Sequence, residues 1–510
     1  MKYVYTFLLS LLFSTPRLFA QIFVSPTGND SNPGTIDLPL KTIPTAITSS
    51  QPGDTIFLRG GTYFLNTTIS ISRNGSSESM HQLFAYQEER PLLDYSSMPV
   101  NSSNRGISLS GSYWHIMGLD IKGAGDNGMN ISGSNNTIEF CSFYENRDTG
   151  LQLGNGASNN RIINCDSYFN VDPGQGNADG FAPKLTVGTN NYFYGCRAWQ
   201  NSDDGWDGYL RGADNVSTII ENCWCFANGY LKDGNPSSGN GNGYKMGGGD
   251  NGNSANLAHD FTLIKSLAFD NRVRGFDQNN NRGSMTLYNC TAYGNGANYS
   301  IASSINSGDT ATVINCIALG SPGSLAGFVI QETNSWSGSF NVTNDDFIST
   351  DTSGVRGSRN ADGSLPQINF MHLAEGSDLI DAGTDVGLPY NGVAPDIGAY
   401  EFAEIVDVEF ISSTSSVIKN FKFEQNFPNP FNPHTRFKYE VVTPGLFTLT
   451  IYNILGQQVA LLVSDYLNSG SYEIDWDAED DYSKSLPSGI YTARLRSENR
   501  VQTIKLSLVK

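Results

Sequence analysis

Residues 138–153, IEFCSFYENRDTGLQL, hold one complete unit of the pattern that decides the fold. Apolar positions alternate, a Cys follows (Cys141), an Asn comes five residues later (Asn146), and a Gly then opens a second short apolar run (Gly150-Leu151). The first half returns as IINCDSYFN (162–170), YFYGCRAWQN (192–201), IIENCWCFAN (219–228), LIKSLAFDN (263–271) and LYNCTAYGN (287–295). One column reads Cys141, Cys165, Cys196, Cys223, Ser266, Cys290 and Cys316; the other reads Asn146, Asn170, Asn201, Asn228, Asn271 and Asn295. Short alternating strands repeated every two to four dozen residues indicate a solenoid, in which each turn buries its inward side chains against the turns above and below. The expected fold class is all-β: a right-handed parallel β-helix followed by a small antiparallel β-sandwich. The Cys column reads as interior packing, where a free thiol behaves as a small hydrophobe. Cys223-Trp224-Cys225 lacks the spacing and the second pair of a zinc site. Stacked Asn residues can hydrogen-bond along the axis.

The second half of the unit recurs as NGMNI (127–131), TGLQL (149–153), DGFAPK (179–184), DGWDGY (204–209), NGYKM (242–246) and RGFDQ (274–278). Side chains alternate between the faces of a strand, so the residue after each Gly points inward and the next points outward. The outward column is Asn130, Gln152, Ala182, Asp207, Lys245 and Asp277. Rungs lie about 4.8 Å apart, which makes Asp207 and Lys245 neighbours and brings Asp179 beside Asp204. The link from the Asn to the Gly lengthens at 171–179 and at 229–242, on either side of these acids. Loops that grow on one side of a solenoid build its binding face.

Composition agrees. The 510 residues include 54 Gly and only 16% charged residues, which suits short strands joined by turns. A net charge of −19 argues against a nucleic-acid partner, because phosphate binding needs a basic surface. Residues 1–20 read as a signal peptide: Lys2, an apolar run from Val4 to Phe13, and Ala20 as the cleavage residue, with Leu18 larger than the usual minus-three residue. No other apolar run is long enough to span a bilayer. The domains expected are a signal peptide (1–20), a parallel β-helix domain (21–402), a linker (403–425) and a C-terminal β-sandwich (426–510). An amphipathic segment at about 41–50 is expected to cap the solenoid, and residues 300–402 to continue it as irregular rungs.

Four carboxylates, Asp179, Asp203, Asp204 and Asp207, converge from two adjacent rungs. Asp204 has inward parity and must lie in the turn before its strand to join them. Unpaired carboxylates in one patch repel, and a divalent cation with an appetite for oxygen ligands relieves that. Lys245 stands on the next rung, and glycines around it suggest open space for a substrate. An Asp-rich turn and a solvated lysine are the bland alternatives, which two rungs of acids in register weaken.

Two resemblances rest on these residues. NADGFAPK (177–184), NSDDGWD (201–207) and GNGYKMGG (241–248) resemble the segments of polysaccharide lyase family 9, the parallel β-helix pectate lyases. The resemblance implies that Asp179, Asp203, Asp204 and Asp207 ligate Ca²⁺, that Lys245 is the catalytic base, and that Arg274, Asp277 and Arg282 contact substrate. FPNPFNP (427–433), IYNILGQQV (451–459), LPSGIYTARL (486–495) and the terminal KLSLVK resemble the C-terminal sorting domain of the type IX secretion system. That implies engagement with secretion machinery and a secreted or cell-surface location.

The activity expected is calcium-dependent β-elimination on pectate or polygalacturonate, an acidic polysaccharide, by a monomer. The uronate C5 proton is weakly acidic, a cation on the adjacent carboxylate stabilises the charge that develops, and a neutral lysine takes the proton. Lyases of rhamnogalacturonan or another uronate polymer are alternatives. So is a polygalacturonase-like hydrolase using paired acids, although none of the five His residues lies in the Gly-flanked context such enzymes use. A non-catalytic glycan-binding adhesin is the third alternative and would need neither Lys245 nor calcium.

Overall fold

The computed structural model describes residues 19–402 and 421–509, apart from 339, 361, 443–444, 454–457, 480–484 and 498–499. The expected signal peptide up to residue 18 and most of the expected linker lie outside the described residues. Chain contacts divide the protein into two compact units, up to residue 405 and from residue 406 onward.

Parallel strands in the first unit stack into three sheets, of 12, 10 and 10 strands among the described residues, and each turn of chain contributes one strand to each sheet. This is a parallel β-helix. The corners on either side of the short strand between the Cys and Asn columns each turn on a single residue. Phe140, Asn164, Asn222, Lys265 and Asn289, each just before the Cys column, have φ of 46–51°, and Glu145, Phe169, Gln200, Ala227 and Asp270, each just before the Asn column, have φ of 47–57°. A single left-handed residue turns the chain sharply without adding length, and Asn tolerates that conformation better than most residues. A strand of three residues, such as Ser142–Tyr144, fits between two such corners.

The interior carries the columns seen in the sequence. All seven cysteines are free thiols and buried. The Asn side chains form a ladder, each Nδ2 donating to the Oδ1 of the next rung: Asn146 to Asn170 at 2.9 Å, Asn170 to Asn201 at 2.8 Å, Asn201 to Asn228 at 3.0 Å, Asn228 to Asn271 at 3.0 Å and Asn271 to Asn295 at 2.9 Å. The rings after each Gly stack in register, with centroids 4.8 Å apart for Phe181–Trp206, 5.0 Å for Trp206–Tyr244 and 5.1 Å for Tyr244–Phe276. The ladder and the ring stack both fix register, since a slip of one residue would orphan buried amides and turn rings to solvent. At the N-terminal end, helix Ile43–Ser49 adds Ile43, Ala46 and Ile47 to the same core, as a cap requires.

The rungs stop at strand Ile330–Glu332, not at residue 402. Beyond it the chain folds back over the outside of the second sheet. Phe347, Phe370, Leu373 and Ile397 pack there on an outward aromatic row of Trp199, Phe226 and Phe269. Arg359 reaches Asp166 at 2.6 Å, beside Arg197 at 2.7 Å. The outward aromatics of this sheet need covering, which a further irregular rung would not provide.

In the second unit two antiparallel sheets enclose Phe437, Leu449, Ile451, Ala493 and Leu506. Strand Thr435–Val441 buries alternate residues, as its sequence predicts. Strand Phe421–Phe423 already pairs with it, so the sheet structure starts inside the stretch expected as linker.

Candidate active site

The third sheet carries the site. Its register pairs Asn130 with Gln152, Gln152 with Ala182, Asp207 with Lys245, and Lys245 with Asp277, which is the outward column read from parity, and the inward pair Phe181–Trp206 keeps Ala182 and Asp207 in line with it. Asp204 lies in the bend before strand Trp206–Asp207, as its parity demanded. One oxygen each of Asp179, Asp203 and Asp204 falls within 4.8 Å of the others. Asp207 stands beside this trio with a lysine on each oxygen: Lys245 Nζ is 3.3 Å from Oδ1 and Lys184 Nζ is 3.4 Å from Oδ2.

Each carboxylate is held from the rungs next to it. Asp179 Oδ1 accepts from the Asp204 backbone N–H at 3.1 Å, and its Oδ2 accepts from Lys184 at 2.6 Å and from Thr149 Oγ1 at 3.2 Å. Asp204 Oδ1 accepts from the Asn242 backbone N–H at 2.8 Å, and Asp203 Oδ1 from that of Asn240 at 2.5 Å. The long loop 229–242 therefore supplies amides to the acids as well as flanking them. It also meets the other long loop, since Ser238 N–H donates to Gln175 Oε1 at 3.1 Å.

The glycines carry a different meaning from the one expected. A Cβ at Gly205 would lie 2.0 Å from Cys225 Sγ, one at Gly243 would lie 2.6 Å from the Gly275 carbonyl, and one at Gly248 2.4 Å from the Asn279 carbonyl. They let neighbouring rungs approach closely; they do not open space around Lys245. The open space is a cleft of about 440 Å³ beside the column, lined among others by Lys245, Asp203, Asp207, Lys184, Arg105, Asp126, Asp148, Tyr209 and Arg211.

Burial dominates the electrostatics. It pushes Asp179 well above the usual carboxylate range despite Lys184, raises Asp203, and raises Asp204 to about 7 although Lys245 opposes it. Burial also pushes Asp207 upward, but Lys245 and Lys184 outweigh it and hold the carboxyl low. Burial would lower Lys245, yet Asp204 and Asp207 outweigh it and hold the ammonium strongly protonated. If all four were ionised, four carboxylates facing two ammonium groups would leave two negative charges uncompensated, which adds to burial in raising Asp179 and Asp204. Asp204 Oδ2 is buried with no hydrogen-bond donor aimed at it, although Lys245 Nζ approaches to 3.0 Å at a poor angle. A deficit of two charges, three clustered carboxylates and an orphaned oxygen fit a divalent, oxygen-seeking cation. Asp179, Asp203 and Asp204 would hold it, with Asp207 beside them.

Arg274 and Asp277 pair with each other at 3.0 Å, and Arg282 bonds the Ser304 carbonyl at 2.5 Å. None of the three lines the cleft, and of these only Asp277 adjoins Lys245 in the ladder. Lys184 is the residue that sequence reasoning misses. It lies inside NADGFAPK with the outward parity of Ala182, and that shared face was the available signal. His259 sits buried in the strand after this region, bonded to Thr218 and to the Gly208 carbonyl; burial lowers it to about 4, so it is neutral and does not reach the cleft.

Comparison with known proteins matches this arrangement to a family. Residues 22–315 match the family described as "Pel9A-like, right handed beta helix region", and residues 425–510 match the secretion system C-terminal sorting domain. The chain is 38% identical over 402 residues to pectate lyase L of Dickeya dadantii, covering 76% of this chain and 91% of that one. It is 41% identical over 401 residues to pectate lyase L of Paenibacillus polymyxa, covering 73% and 86%. The crystal structure of pectate lyase Pel9A superposes with a TM-score of 0.69 at 37% identity, covering 75% of this chain and 96% of that one. A solved rhamnogalacturonan lyase superposes with a TM-score of 0.61 at 26% identity, covering 70% and 97%. The sorting domain marks the protein for export, to the cell surface or beyond. With its right-handed β-helix, its acidic column and the lysine one rung on, the chain belongs to the Pel9A-like family of pectate lyases.

Proposed function

We propose that this enzyme cleaves pectate by calcium-dependent β-elimination, with Lys245 as the base. The observation that carries the proposal is the position of Lys245 Nζ, 3.0 Å from Asp204 and 3.3 Å from Asp207 at the wall of the cleft, one rung from three clustered carboxylates. Asp179, Asp203, Asp204 and Asp207 would hold Ca²⁺, which when bound draws electron density from the uronate carboxylate. Lys245 Nζ removes the C5 proton, the C5–H electron pair forms the C4–C5 double bond, and the C4–O bond breaks with its electrons on the leaving oxygen, which takes up a proton. For this Lys245 must be neutral, whereas the buried acids alone hold it charged. Positive charge added among those acids favours the neutral amine, so loading of the site and activation of the base are coupled. Arg105 and Arg211 line the same cleft and would face the anionic polymer, which answers the protein's negative charge locally.

A second substrate reading rests on the solved rhamnogalacturonan lyase, to which this chain is also similar over most of its β-helix. The wider organisation proposed is a cleaved signal peptide (1–20), a catalytic domain (21–402) made of the β-helix and the tail that covers it, a short linker, and a sorting domain that engages secretion machinery, with the enzyme acting as a monomer.

The test measures absorbance of the 4,5-unsaturated product from polygalacturonate and from rhamnogalacturonan, with calcium or with chelator. A calcium-dependent signal on polygalacturonate, absent in Lys245→Ala, is expected. New reducing ends without unsaturation would overturn the lyase mechanism, and unsaturated product from rhamnogalacturonan alone would replace the substrate.

A further inference from the structure

Lys184 has no part in the proton transfer, yet it is built into the site as firmly as Lys245. Its backbone N–H is fixed to the Leu153 carbonyl of the previous rung, and it shares the outward face with Ala182. Its side chain places Nζ 2.6 Å from Asp179 Oδ2 and 3.4 Å from Asp207 Oδ2. The lysine is 4% exposed, and three surrounding acids hold it charged against the effect of burial. Its two partners include Asp179, one of the three carboxylates whose oxygens converge.

We propose that Lys184 is a resident counter-ion of the acidic column, competing with the divalent cation for Asp179 and Asp207 and so setting the calcium concentration at which the cleft becomes loaded. The inference rests on the calcium reading of the site and adds to it a positioning residue that weakens the binding it stands beside. The chemistry is that of like charges. Asp179 Oδ1 is committed to the Asp204 amide, and Oδ2 is shared between Thr149 and Lys184. Whichever oxygen of Asp179 a cation uses, the Lys184 ammonium already sits 2.6 Å from the same carboxylate and opposes it. At a few ångströms, in a site shielded from water, one positive charge beside a divalent ion is a strong opposing interaction. For an enzyme sent outside the cell, such a competitor would keep the site responsive to external calcium instead of permanently filled.

Calorimetric titration of the full chain with CaCl₂ at pH 9 tests this with Lys184→Met and Lys184→Arg. The Met variant is expected to bind calcium at least ten-fold more tightly than the wild type, and the Arg variant, which keeps the charge, within about three-fold of it. A merely structural role for Lys184 would weaken binding on truncation. Lys184→Gln retains a hydrogen bond to Asp179 without the charge, is expected to shift affinity in the same direction, and serves where the Met variant fails to fold. Wild type that binds calcium while the folded Met and Gln variants bind equally or more weakly would overturn this inference alone. Wild type that binds no calcium would overturn the calcium reading and the inference with it.

Discussion

Replacing Lys245 by Met keeps the unbranched chain, one atom shorter, and removes its charge, and it separates two effects that the structure ties together. Lys245 Nζ lies 3.0 Å from Asp204 and 3.3 Å from Asp207. At an effective dielectric of about 20 each attraction is worth roughly 5 kcal/mol before desolvation is counted. The lysine is 6% exposed, so much of that gain is offset by lost hydration. Removing one partner of a buried pair typically costs about 3–5 kcal/mol, because the other charge stays behind unpaired. In chelator, Lys245→Met is therefore expected to lose about that much unfolding free energy in a guanidinium titration of the β-helix transition. Calcium, which supplies positive charge to the same acids, is expected to restore most of it. Catalysis should not return with stability. A positioned general base is worth about 10²–10⁴ in rate, or some 3–5 kcal/mol of barrier. At saturating calcium the variant is expected to release unsaturated product at least 100-fold more slowly than wild type. A calcium-loaded Lys245→Met enzyme within ten-fold of wild-type kcat would refute Lys245 as the base, however stable the protein proved to be.

Three further outcomes rest on the same geometry. The rate at saturating calcium should rise with pH toward the alkaline side, since Lys245 acts only when neutral and its neighbours hold it protonated; a maximum below pH 6 would exclude it. In chelator, stability should fall between about pH 4 and pH 7: burial raises the Asp204 carboxyl to about 7, so its contribution is complete below the unfolded value near 3.8 and is lost as pH rises through 7. Calcium titrated against melting temperature at both pH values should flatten that slope. Asn201→Ala removes the acceptor of Asn170 and the donor to Asn228 in the interior ladder. At about 1–3 kcal/mol for each buried group left unpaired, it should destabilise the β-helix in denaturant while KM stays unchanged; a loss below about 0.5 kcal/mol would show the ladder to be incidental.

The rungs are legible in the sequence because their signals sit one residue wide at fixed offsets. Cys at one corner, Asn at the next and Gly before the third strand are each forced by packing between layers, so they mark the register directly. Register plus parity then placed Asp207 against Lys245 and Asp204 in the bend before its strand. Features that depend on the path of a side chain or on long-range return of the chain stayed hidden. Lys184 has the right parity, but only the folded structure shows that its ammonium ends on Asp179. Glycines near a catalytic residue suggest space, whereas the distances from Gly205 and Gly248 to the adjoining rungs show close packing. Asp277 occupies the column next to Lys245, yet it is satisfied by Arg274. The tail after Glu332 has no periodicity to read, because it takes the shape of an aromatic row already formed by other rungs.

A protein of net charge −19 can work on a polyanion because the charge that matters is local. Global charge sets long-range attraction or repulsion, which salt screens beyond about 10 Å. At the cleft the balance is adjustable, because the acids are buried with too few cations. A fully paired site would be stable and inert, holding neither metal nor a base that can lose its proton. An unpaired one would be driven to protonate, as the raised Asp179 and Asp204 show it is inclined to do. Two lysines against four carboxylates leave the cluster between these limits. In the proposed mechanism Lys184 and Lys245 would play opposite parts: one faces Asp179 and would compete with the cation, while the other faces Asp204 and would become a base as the cation binds. If Lys184→Met both tightens calcium binding and moves the alkaline limb of the rate profile to higher pH, the two lysines share one charge reservoir. If affinity changes and the profile does not, the acids on either side of Asp207 act as separate compartments.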